Sequence, residues 1–111
     1  MQENQKLKVL KGPGFNVGYL AMNVKKGPFK NLLVRKAINL ALNKKSYIKA
    51  IYMGNAIPAK NPLPPSLWSY NEKTNPYHYN LKKAKELLKK AGYPNGFETE
   101  IWTLPVSRPY N

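Results

Sequence analysis

Cysteine and aspartate are both absent from this 111-residue chain. Without cysteine there is no disulfide, no thiolate metal site and no thiol nucleophile. Without aspartate, and with His78 as the single histidine, a Ser/His/Asp triad cannot be assembled; only a glutamate-oriented variant stays open. The carboxylates are Glu3, Glu72, Glu86, Glu98 and Glu100. Glu98 and Glu100 alternate along one expected strand, which could set two carboxylates side by side, although an exposed polar face is the plainer reading. Metal cages need several ligands, so no metal and no cofactor is expected. No catalytic residue is expected either, and the chain reads as a non-enzyme. Uninterrupted apolar runs fall well short of the roughly 18 residues that would span a bilayer. The opening Met1-Gln2-Glu3-Asn4-Gln5-Lys6 is followed by no apolar stretch and does not read as a secretory signal. Arginine is scarce too: Arg35 and Arg108 stand against seventeen lysines.

What is present is positive charge. Nineteen basic residues face five acidic ones, a formal net charge of +14. Residues 25–49 carry Lys25, Lys26, Lys30, Arg35, Lys36, Lys44, Lys45 and Lys49 with no acid among them. Such a run would attract phosphate backbones by counterion release. Base-edge and bidentate phosphate readout favours arginine, however, and Gly12-Pro13-Gly14 lacks the spacing of a phosphate loop. Thirteen asparagines accompany the lysines, as a compositional habit would produce. The basic side chains are therefore read as a solvated surface, with a small basic nucleic-acid-binding domain as the alternative. A hydrophobic fraction of 42% is enough for one modest core.

Along the chain, Gly12-Pro13-Gly14 marks a turn, and Phe15 to Val24 has the β-branched and aromatic content of a strand. Gly18 within it suggests a bulge or close packing. Asn31 is placed to cap a helix from Leu32 to about Leu42, with Leu33, Ala37, Leu40 and Ala41 on one face. Asn43 can cap a second, short helix with the stripe Tyr47, Ile48, Ile51 and Tyr52, stopped by Gly54. Ile57 to Pro65 is proline-rich and reads as a packed connecting loop rather than a polyproline ligand. Trp68, Tyr70, Tyr77 and Tyr79 are expected to pack that loop onto the domain. Asn80 caps the clearest helix, whose stripe is Leu81, Ala84, Leu87, Leu88 and Ala91 and whose end is Gly92. Pro94-Asn95-Gly96 then turns the chain into an alternating strand over 97–104. A strand that leads into Pro105-Val106-Ser107-Arg108-Pro109-Tyr110-Asn111 without a partner reads as part of something larger.

The order of these segments resembles the peptide-binding solute-binding proteins of ABC transporters. The resemblance is carried by Gly14-Phe15-Asn16-Val17-Gly18-Tyr19-Leu20-Ala21-Met22-Asn23, by Val34-Arg35-Lys36-Ala37-Ile38 and by Ala41-Leu42-Asn43-Lys44. It continues through Ala59 to Pro65, Lys83 to Gly92, and Pro105 to Asn111. It implies an α/β fold, part of a periplasmic-binding-protein type II lobe with a mixed sheet flanked by helices. It further implies that residues 1–111 are a single fragment of the C-terminal lobe of a larger two-lobe protein. Such a protein is periplasmic, with its signal peptide outside this chain, and captures dipeptides, short peptides or a haem- or glutathione-like ligand for a permease.

On its own residues Arg108 reads as an exposed loop arginine. The resemblance instead implies that it pairs with the ligand carboxylate, which its planar fork suits. Tyr110 is a second candidate for lining the same pocket, with packing as the alternative. The expected partners are a peptide ligand and an ABC permease, not nucleic acid. Uncovered strand edges and apolar stripes also predict self-association or domain swapping of the fragment.

Overall fold

Asparagines open all three α-helices found in residues 6–106, which the computed structural model describes. The helices are α1 (Leu32–Ala41), α2 (Lys44–Tyr52) and α3 (Leu81–Lys90). The side-chain oxygen of Asn31 accepts from the Leu33 amide at 2.8 Å, that of Asn43 from Ser46 at 3.2 Å and that of Asn80 from Lys83 at 2.9 Å. Each satisfies a backbone donor that the first helical turn leaves without a partner. A 3-10 turn, Gly27–Lys30, precedes α1. Arg35 holds that turn to the helix, donating from Nη1 to the carbonyls of Phe29 (2.7 Å) and Lys30 (2.9 Å).

The helix ends differ. At α3 the Tyr93 amide returns to the Leu88 carbonyl and the Gly92 amide to Lys89, with Gly92 at φ 91°. This is the Schellman closure, which needs a left-handed residue at that point. At α2 the stop comes one residue before the expected Gly54. Met53 is already left-handed (φ 48°), and its amide and that of Gly54 both reach the Ile48 carbonyl, widening the last turn.

The core lies between α1 and α3. Ala37, Leu40 and Ala84 are buried against each other, Leu87 and Leu88 pack beside them, and Val34 is fully buried one turn back on α1. Two alanines at the contact let the helices approach closely. The buried face runs through Val34 rather than the expected Leu33, and Ala41 is exposed. The Asn80 amide also donates to the Leu40 carbonyl at 2.8 Å, joining the start of α3 to the end of α1.

Between α2 and α3 the proline-rich connection is held by its own polar groups. Asn61 accepts from the Leu63 amide at 3.0 Å and donates to the Asn71 carbonyl at 3.1 Å. Lys60 donates to the Glu72 carbonyl and lies over the Tyr70 ring, 5.6 Å from its centroid. Pro64 is buried, whereas Trp68 is 97% exposed and does not pack the loop as expected.

The two expected strands have no regular secondary structure, and no sheet forms among the described residues. A strand is stable only when its amides and one face find partners. Here Phe15, Tyr19, Ile101 and Trp102 stay in water, at 70%, 84%, 76% and 89% exposure. Gly18 is not crowded, since a methyl group there would meet only the Tyr52 hydroxyl at 4.0 Å. The molecule is correspondingly long, 60 × 34 × 26 Å, with a radius of gyration of 17.4 Å. A compact chain of this length would have about 13 Å.

Candidate ligand-binding segment

Arg108 and Tyr110, the two residues expected to face a ligand, lie outside the described residues. The structure does describe how the chain leads toward them. Beyond the Schellman closure of α3, Pro94-Asn95-Gly96 turns the backbone, with Gly96 at φ 82° and its amide on the Tyr93 carbonyl at 3.2 Å. Phe97 then packs edge-on against Tyr93 (ring centroids 5.2 Å apart) and Phe29 (5.7 Å, rings at 88°). Offset and edge contacts of this kind suit the ring quadrupoles. The aromatic trio ties the start of the 97–106 segment to the 3-10 turn ahead of α1. From there the segment is open, and Ile101, Trp102 and Leu104 are exposed.

Arg35 is engaged by two backbone carbonyls and is half-buried, so it serves the fold. Arg108 is the other arginine of the chain. Glu98 and Glu100 are exposed, as the plainer of their two readings expects, but on an open segment that forms no strand.

One arrangement was not readable in the sequence. A groove of about 530 Å³ lies between the start of α2, residues 58–60 and residues 76–79, with Lys44, Lys45, Lys60, Tyr77, His78 and Tyr79 among its lining. These residues are scattered over thirty-six positions with no motif spacing, so only folding brings them together.

The whole chain, residues 1–111, matches the family model described as bacterial extracellular solute-binding proteins, family 5 Middle. The chain belongs to this family. Among curated relatives it is 50% identical over its full length to the heme-binding protein A of Haemophilus influenzae and 45% identical to the dipeptide-binding protein of Escherichia coli. It covers 20% and 21% of those two proteins, so it spans about a fifth of the relatives it matches. Among solved structures, a dipeptide-binding protein from Pseudoalteromonas in complex with Met-Leu superposes on 99% of this chain with a TM-score of 0.84 at 37% identity, the match covering 22% of that protein.

Membership of solute-binding family 5 accounts for the fold class. The α/β, periplasmic-binding-protein type II architecture is that of the solved relatives, and the chain follows their backbone over nearly its whole length. The nucleic-acid alternative is not supported: the family model is one of extracellular solute-binding proteins, and these relatives are heme- and dipeptide-binding proteins.

Proposed function

We propose that this chain is a single fragment of the C-terminal lobe of the substrate-binding component of a bacterial ABC importer. The parent protein captures dipeptides or other short peptides between two lobes in the periplasm and delivers them to a permease. The carrying observation is the full-length similarity to a solved protein that holds Met-Leu. Arg108 binds the ligand carboxylate through its paired donors, and Tyr110 lines the same pocket. Closure of the lobes expels water and strengthens these ionic contacts. The protein binds and releases its ligand without making or breaking bonds, a reading supported by its membership of a solute-binding family.

One half of a clamp is not a binding site. The isolated chain therefore does not bind free dipeptides usefully, and its uncovered apolar segments drive self-association. The charge of +14 opposes association at low salt, so oligomers become more populated as salt rises.

The test is made in the full-length protein. Arg108→Ala weakens peptide binding by about 2–5 kcal/mol, because a buried carboxylate loses its charged partner. Arg108→Lys recovers only part of this, since an ammonium cannot supply the fork. Calorimetric affinity and the melting temperature without ligand are measured together. Unchanged affinity in Arg108→Ala removes the residue from the site; a large fall in ligand-free melting temperature makes it structural. Tight haem binding with no peptide binding moves the ligand class to that of the Haemophilus relative.

A further inference from the structure

We propose that the groove at the start of α2 is a second, anion-binding site, one that takes a phosphate group and is separate from the segment carrying Arg108. The walls are built before any ligand arrives. Lys44 Nζ donates to the Ala59 carbonyl at 2.8 Å, joining α2 to residues 58–60. On the other side the Asn80 amide is bonded to the Leu40 carbonyl, which fixes residues 76–79 beside the end of α1. The space of about 530 Å³ lies in the range of small-molecule sites.

Its charge is one-sided. The charged residues of its lining are Lys44, Lys45 and Lys60, with no carboxylate among them, and His78 adds an uncharged imidazole donor. Among the described residues, Lys44 and Lys60 are tied to backbone carbonyls rather than to acids, and Lys45 and His78 make no hydrogen bond through their side chains. An ammonium has three donors, so Lys44 and Lys60 keep donors for a ligand while holding the walls. No arginine fork lines this groove, so an anion is held by point charges, and a phosphate group, with up to two negative charges and three acceptor oxygens, draws more from them than a carboxylate does. Tyr77 and Tyr79 provide apolar faces for the remainder of the ligand.

The experiment uses the full-length protein and inorganic pyrophosphate as probe, titrated calorimetrically at fixed ionic strength. The paired variant Lys45→Gln/His78→Gln changes two exposed side chains without intramolecular hydrogen bonds, so the fold is expected to survive; its melting temperature verifies this. The control pair Lys82→Gln/Lys85→Gln removes charge from exposed positions of α3 that do not line the groove. Saturable binding that falls about tenfold in the groove pair, the effect of losing one charge-assisted hydrogen bond, and stays within about twofold in the control supports the site. Equal losses in both pairs, or no saturable binding by the unaltered protein, overturn it. Vesicles of phosphatidylglycerol separate two sources of phosphate. Retention lost only in the groove pair assigns the site to a lipid headgroup, and retention unaffected by that pair, with pyrophosphate binding impaired, assigns it to a soluble ligand.

Discussion

The α1–α3 pair and the two flanking segments, 15–24 and 97–104, are comparably rich in apolar residues, yet only the helices bury them. A helix satisfies its own backbone and needs one apolar stripe covered, and another helix of the same chain can supply the cover. A strand needs backbone partners on its edges as well as a covered face. Within residues 6–106 the first demand is met and the second is not. Self-sufficiency of the backbone, more than hydrophobicity, decides which parts of this chain are ordered by their own neighbours.

Substitutions sharpen this contrast, and urea unfolding of the chain measures the first three. Leu40→Ala has the largest expected effect, a loss of about 2–5 kcal/mol, since it empties the centre of the α1–α3 contact. If the transition midpoint does not move, the helix pair is not the stabilising unit. Gly92→Ala follows at about 1–2 kcal/mol, because an L-residue is strained at φ 91°. Asn80→Ala is expected to cost about 1 kcal/mol through the lost cap, while the backbone bond from residue 80 to Leu40 persists. Trp102→Ser stands at the other end. Its stability change should stay within about 0.5 kcal/mol, since the ring is 89% exposed. Self-association of the isolated chain should weaken, as read by sedimentation at raised salt. A loss of several kcal/mol from Trp102→Ser would mean that the open segments are packed after all, and the comparison would fail.

The same division sets what could be read in the sequence. All three asparagine caps and the glycine end of α3 were legible because capping is local chemistry, decided within four residues. Val34 was not, since Leu33 and Val34 both extend an apolar stripe through Ala37 and Leu40, and only tertiary packing chooses between them. A large ring in a proline-rich loop suggests packing, but Trp68 stays exposed because Asn61, Lys60 and Asn71 close that loop with polar bonds. Alternation over 97–104 and β-branched and aromatic content over 15–24 state a preference for a sheet but not the presence of a neighbour. Arg108 rested on resemblance to a family. The lysine-lined groove is a product of the tertiary path and left no local trace.

The amide of Asn80 on the carbonyl of Leu40 closes a ring in the chain, with residues 41–79 as its excursion. The two helices that carry the core meet at the neck of that ring. Everything between, including α2 and the proline-rich stretch, leaves and returns at one point. Closing a longer excursion is entropically inexpensive, about 0.6 kcal/mol for each doubling of length. On entropic grounds alone, the neck therefore tolerates changes in the length of this stretch while the paired helices keep their form.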